Sequence, residues 1–169
     1  LEQCQAEFVI ADTMDLWINV TLEPLKALIE KIDLLILNDS EAKQLAGASN
    51  LITAGNRLLE MGSKYVVIKK GEHGSMLFAK DHFFTCGAFP LHEVLDPTGA
   101  GDTFAGALAG YLAKSEGEVT FKDLCQGVVQ GTVMASFVCE AFSTKMLHEL
   151  DDAKIKARYD EFIRYTQVV

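Results

Sequence analysis

The segment DPTGAGDTFAGALAG, residues 96–110, sets four glycines and two aspartates against a run of small apolar residues. Gly99 and Gly101 allow backbone angles closed to other residues. A helix that begins just after them turns its unpaired N–H groups, and the positive end of its dipole, back toward the loop. That combination holds an anion. Asp102, in the first turn of the helix, stands beside those amides. A carboxylate so placed can take the proton of a hydroxyl as the hydroxyl attacks a phosphoryl group held by the same loop. The simpler reading is a tight turn in which Asp102 only caps its helix. Two familiar phosphate-binding motifs are excluded: no G-x-x-x-x-G-K-[ST] occurs, and Phe104 stands where the dinucleotide fingerprint needs its third glycine.

The elements that must position this loop follow from periodicity. FVIAD (8–12) is a short apolar run, followed by a helical pattern in which Leu22, Leu25, Leu28, Ile29 and Ile32 recur at spacings of three and four. DLLIL (33–37) reads as a buried strand. SEAKQLAG reads as a short helix closed by Gly47, and Leu51–Met61 as a longer one closed by Gly62. YVVIK (65–69) is a third apolar strand, so strands and helices alternate as in a parallel sheet covered by helices. SMLFA, a Lys80-Asp81 turn and HFFTC make a hairpin, with HEVLD (92–96) extending one more strand toward the glycine motif. Beyond it, helices are expected from Thr103 to Ala113, Phe121 to Cys139 and Leu150 to Tyr165. In the first of these, Phe104, Leu108 and Leu112 share one face, while Ala105, Gly106, Ala109 and Gly110 permit close approach of neighbours. The whole reads as one compact α/β unit.

Composition bounds the function. The 169 residues are 49% hydrophobic and 23% charged, enough to bury a core. Fifteen basic residues are dispersed among 24 acidic ones, giving a formal charge of −9. No basic stripe for nucleic acid exists; the longest cluster is Lys69-Lys70. Cysteines at 4, 86, 125 and 139 form no C-x-x-C pair and no zinc spacing with the histidines, and read as reduced, mostly buried thiols of a cytoplasmic protein. No stretch approaches the roughly 20 apolar residues of a membrane span. The first residues are no signal peptide, and a start without methionine suggests a piece of something longer.

DPTGAGDTFAGA resembles the C-terminal signature of the ribokinase-like, or PfkB, carbohydrate kinases, in which D-x-x-G-A-G-D precedes a small-residue helix. The resemblance implies a three-layer α/β/α fold with a mostly parallel central sheet. It also implies phosphoryl transfer from ATP, with Mg2+, to a hydroxyl of a sugar or nucleoside. Gly99, Ala100 and Gly101 then correspond to the anion hole and Asp102 to the base. Asp96 and Thr98 fall where many members hold a monovalent cation such as K+; fixing the loop explains them equally well. Asn38 and Glu41, in LLILNDSEAKQLAG, fit the family's N-x-x-E motif, which places magnesium and phosphates through water. Read alone, that segment is a strand end and a helix capped by Asp39 or Ser40. VVIKKGEHGSMLF resembles the strand and G-x-x-G turn beside the nucleotide: Gly71 and Gly74 admit close backbone approach and Lys70 contacts phosphates, unless it is a solvated lysine. His73 reads as exposed turn.

Adenine is expected near Val128, Thr132, Ala135 and the CEAFST loop at 139–144, positions that plain core would also explain. VIADTMDLWI is similar to the D-x-N-x-R-x-x-L-W segment of the sugar kinases: Asp12 and Leu16-Trp17 are kept, but Met14 replaces asparagine and the arginine is absent; the resemblance implies that Asp12 serves the acceptor, and ending its strand explains it as well. The resemblance runs from about Phe8 to Leu147 and covers the C-terminal, nucleotide-binding part of a family member. The N-terminal strands and the β-sheet lid are missing. The expectation is a fragment with little activity of its own, whose open sheet edge favours self-association or a homodimer. The alternative is a non-catalytic nucleotide-binding or assembly module that keeps the fold. An unrelated hydrolase finds no support, since no G-x-S-x-G elbow occurs.

Overall fold

The computed structural model describes residues 6–115 and 117–167. Cys4, one of the four expected thiols, lies outside them. The chain separates into two compact units rather than one: the first runs through Gly71 and takes in Ser75–Thr85, the second comprises Glu72–Gly74 and everything from Cys86. The division falls where the sheet ends, because the chain after Cys86 is loop and helix only.

In the first unit β1 (Ile10–Asp12), β2 (Leu34–Asn38) and β3 (Tyr65–Lys69) pair in parallel, and β4 (Ser75–Ala79) joins antiparallel to β3. β5 (His82–Cys86) completes a five-stranded sheet in the order β1-β2-β3-β4-β5, with a hairpin closed at Lys80-Asp81. The sheet is therefore mixed but mostly parallel. Its helices are α1 (Asp15–Val20), α2 (Leu22–Ile29), α3 (Asp39–Ala46) and α4 (Leu51–Glu60). Side chains alternate along a strand, so Leu35, Leu37, Val66, Ile68 and Phe78 share one sheet face. Against it pack Ile18, Leu25, Ile29, Ala42, Leu45, Ala54 and Leu58 from the helices. Of the apolar repeat expected before Asp33, Leu25, Ile29 and Ile32 are buried, while Leu22 and Leu28 face outward. α1 has no signal of its own in the sequence, since Ile18 is its one buried residue.

The second unit contains α5 (Ala100–Leu112), α6 (Phe121–Val138), α7 (Lys145–His148) and α8 (Asp152–Thr166). α5 buries Phe104, Leu108 and Leu112, the expected face. The close approach, however, comes from the partner helix. A Cβ at Gly131 of α6 would sit 2.9 Å from the Phe104 carbonyl oxygen and ring, whereas Gly106 and Gly110 of α5 have nothing within 4 Å. α6 opens on a capping box between Thr120 and Asp123. α8 is fastened to its far end by Arg158, whose guanidinium donates to Ser136 Oγ at 3.1 Å, pairs with Glu140 at 2.7 Å and lies 3.6 Å over the Phe137 ring.

The strand expected at 92–96 does not form. The Leu95 and Asp96 N–H groups donate to the Cys139 carbonyl at the end of α6, at 2.8 and 3.4 Å, and Val94 and Leu95 are exposed. With its donors spent on a helix end, this segment is a strap and not a sheet edge.

The α5–α6 contact makes a contrast of two alanines informative. Gly131→Ala is expected to lower the unfolding free energy by about 1–3 kcal/mol through overpacking. Gly106→Ala, in open space on a helix interior, is expected to raise it by up to about 1 kcal/mol. Urea titrations followed by circular dichroism check both signs.

Candidate active site

The chemistry-bearing residues form two groups, one in each unit. In the second unit the glycine loop begins with Asp96, whose Oδ1 accepts the Thr98 N–H at 3.0 Å. The Thr98 N–H first, then the Thr98 hydroxyl, and the Ser143 backbone hold its carboxyl below the ordinary value of 3.8. Ser143 itself is in the left-handed region, φ 62°. Asp96 thus ties the loop to itself and to the 139–144 segment.

Next, the Ala100 N–H donates to the Pro97 carbonyl at 3.1 Å, closing a turn whose third residue is Gly99 at φ 83°, ψ −1°. Those angles are those of a type II turn, which requires a positive φ there. Helix α5 starts at Ala100, three residues before the expected Thr103. Gly101 is consequently an ordinary helical residue, and among the two glycines flanking Ala100 only Gly99 uses the left-handed region. The Ala100 N–H is taken by Pro97, and the Thr103 N–H donates to Gly99 O at 2.9 Å. The amides left open at the start of this 13-residue helix are those of Gly101 and Asp102. Of the anion hole expected at Gly99, Ala100 and Gly101, the Ala100 amide is thus taken by the turn. Asp102 is exposed, and no hydrogen bond or ion pair among the described residues engages its carboxylate. Open amides followed by an uncommitted acid suit a phosphoryl group and a proton acceptor.

Val128 and Thr132 are buried in α6, Val128 completely. The Thr132 hydroxyl donates to the Val128 carbonyl at 2.9 Å and meets the Cys86 thiol at 3.7 Å. Both are core positions, and Ala135, the third residue expected near adenine, is half-buried. Gly74 fits its turn for a packing reason, since a Cβ there would overlap the Cys86 carbonyl oxygen, and Gly71 adopts φ 56° in open space.

In the first unit the carboxyl ends of the parallel strands carry Asp12, Asn38 and Lys69, the usual ligand edge of such sheets. Asn38, not Asp39 or Ser40, is the N-cap of α3. Its Oδ1 accepts the Glu41 N–H, and Glu41 Oε2 accepts the Asn38 N–H, both at 2.9 Å. The N-x-x-E motif is thus also a capping box. Burial pushes the Glu41 carboxyl up, the Asn38 N–H opposes it, Asp12 and Asp15 add to the rise and Lys69 counters it.

Asp12 is committed within the protein: Oδ1 accepts the Thr13 N–H at 2.8 Å and Oδ2 pairs with Lys69 Nζ at 2.6 Å. Asp12 is registered with Ile36 and Ile36 with Val67, so Asp12 and Lys69 share a face and reach across β2. Lys70, which follows the strand, is half-buried. Ser75, registered opposite Lys69, is 2% exposed, and its hydroxyl has no partner among the described residues. Lys69 and Ser75 were not singled out by the sequence reading. The available signal was a lysine closing an apolar strand at the period of Val67.

The profile of the pfkB family carbohydrate kinases matches residues 3–158. A cytidine kinase of Thermococcus kodakarensis is 37% identical over 90 residues, 52% of this chain and 32% of that protein. A nucleoside kinase of Methanocaldococcus jannaschii is 34% identical over 121 residues, 70% of this chain and 36% of its own length. Among solved structures, aminoimidazole riboside kinase from Salmonella enterica, complexed with aminoimidazole riboside and an ATP analogue, superposes with a TM-score of 0.77 at 21% identity. The match covers 89% of this chain and 52% of that one. That superposition shows the ribokinase-like fold. The chain spans about a third of the length of these curated relatives and about half of that structure.

Because the Asp96 carboxyl is held low, its contribution to stability is present above the ordinary pKa of 3.8 and is lost as pH falls through the lower folded value. Wild type is expected to unfold at higher urea than Asp96→Asn at pH 6, and the difference to close as the titrations are repeated below pH 3.8.

Proposed function

Because the chain belongs to the pfkB family of carbohydrate kinases, we propose that it is the C-terminal, nucleotide-binding portion of an ATP-dependent phosphotransferase acting on a hydroxyl of a sugar or nucleoside. The observation that carries this reading is the start of α5: two open amides, Gly101 and Asp102, beside an exposed carboxylate without a partner. When bound, Mg-ATP supplies the transferable phosphoryl group. The Gly101 and Asp102 amides donate to its oxygens as charge develops, fixed in advance by the Pro97–Ala100 turn. The Asp102 carboxylate accepts the acceptor hydroxyl's proton at Oδ. Asn38 and Glu41, locked to each other by the capping box, would hold a magnesium ion through its water, with the Glu41 oxygen that the box leaves over supplying negative charge. Asp96 keeps the glycine loop in place.

The names of the sequence relatives support the acceptor class, since they include ribokinases, deoxyribokinases, a cytidine kinase and a nucleoside kinase, together with a 6-phosphofructokinase. Rate in such a reaction depends on holding two reactants together. This chain, at about half the length of a solved kinase, is proposed to bind nucleotide without turning it over alone.

The test joins this chain to the remaining length of a family member and follows ATP consumption over a panel of sugars and nucleosides. Asp102→Asn is expected to lower turnover by about 10²–10⁴-fold while leaving the affinity for Mg-ATP unchanged. Unaltered turnover would remove Asp102 as the base.

A further inference from the structure

Within the second unit the described residues enclose a cavity of about 410 Å³ whose side chains take no part in the phosphoryl chemistry proposed above. Its volume falls in the range of small-molecule sites, roughly 300–1,000 Å³. One wall is the chain from Phe89 to Leu95; the other is the end of α6 at Glu140 and the part of α8 that carries Arg158, Glu161 and Tyr165. The two walls are braced against each other. The Leu95 N–H is tied to the Cys139 carbonyl, and the Phe89 ring rests near those of Phe162 and Tyr165, each centroid 6.1 Å away.

The charges of this lining do not balance. Glu93, Glu140 and Glu161 share it with one guanidinium, that of Arg158. That cation is already spent: Glu140 pairs with it at 2.7 Å, Ser136 Oγ accepts from it at 3.1 Å, and it lies over the Phe137 and Phe89 rings. Glu161 accepts the Tyr165 hydroxyl at 2.6 Å, and neither Glu161 nor Glu93 meets a cation among the described residues. An anion entering here would find carboxylates beside a neutralised arginine, so the cavity suits a cation. A metal ion is the wrong one, because no three His, Cys, Asp or Glu side chains among the described residues converge on a point. The acids are instead interleaved with apolar groups: Glu93 stands between Leu91 and Leu95 in the pocket wall, and Glu161 one helical turn before Tyr165.

We propose that this cavity binds a linear aliphatic amine carrying two or more ammonium groups. Such a chain alternates charge and methylene as the lining alternates acid and apolar surface. Glu93 and Glu161 accept hydrogen bonds from separate ammonium groups, the methylenes between them lie on Leu91 and Leu95, and the Tyr165 ring offers its face to the cation.

The experiment titrates the 169-residue chain calorimetrically at low salt with spermidine and, separately, with butylamine, which keeps the methylenes but carries one charge. The wild type is expected to bind one spermidine saturably and butylamine about tenfold more weakly or worse, the scale of a lost hydrogen bond between charged groups. Glu93→Gln and Glu161→Gln are each expected to weaken spermidine about three- to tenfold, and Tyr165→Leu by a smaller factor. Glu60→Gln, on α4 in the other unit, removes the same charge from a chain of formal charge −9 and is expected to leave the affinity unchanged. Equal losses in Glu60→Gln and Glu161→Gln, or several spermidines bound without saturation, would reduce the effect to the chain's overall charge and overturn the site. Butylamine bound as tightly as spermidine would overturn the requirement for two charges. No heat or shift with either amine would overturn the proposal outright, and none of these results touches the kinase reading.

Discussion

The hydrogen bond from the Ala100 N–H to the Pro97 carbonyl sets the geometry of the second unit's site. It closes a turn that only a left-handed residue can complete, and Gly99 is that residue at φ 83°. By starting α5 at Ala100 it decides which amides remain open and where the acid emerges. The turn is supported from both sides. Behind it, α5 is seated against α6 where Gly131 lets the Phe104 backbone approach. Before it, Leu95 and Asp96 are tied to the Cys139 carbonyl, and the Asp96 carboxylate binds Thr98 and the Ser143 backbone.

The first unit reaches its own chemistry by another route. Parallel strands deliver their last residues to one edge, so Asp12, Asn38 and Lys69 meet there by register. The capping box spends the Asn38 carbonyl and one Glu41 oxygen on backbone amides. That costs the pair freedom and gives it a fixed direction. Glu41 is buried to 7% exposure and remains within the influence of Asp12 and Lys69, so the charges at this edge depend on one another.

Much of this was legible before any coordinates. The strands at 65–69, 75–79 and 82–86 fall where alternation and apolar runs place them, and Gly47 closes α3 in the left-handed conformation. What could not be read has specific causes. The residues 92–96 carry a strand-like pattern, yet their N–H groups find the end of α6, a partner more than forty residues away in sequence that no local window contains. The small residues of α5 suggested where helices touch, but the touching glycine is on α6, because packing is a property of pairs. Ala100 belonged to a motif, and its amide was spent on a turn that the motif does not describe. The Asp12–Lys69 ion pair joins residues two strands apart, which no local window contains.

One residue, Asp102, presents both an open amide from its main chain and an exposed acid from its side chain at the head of α5. The first is indifferent to the genetic code, since any amino acid but proline carries it. The second is erased by a single codon change. A descendant that lost the acid would keep the open amides, and none of the surrounding framework would have to be rebuilt along the way.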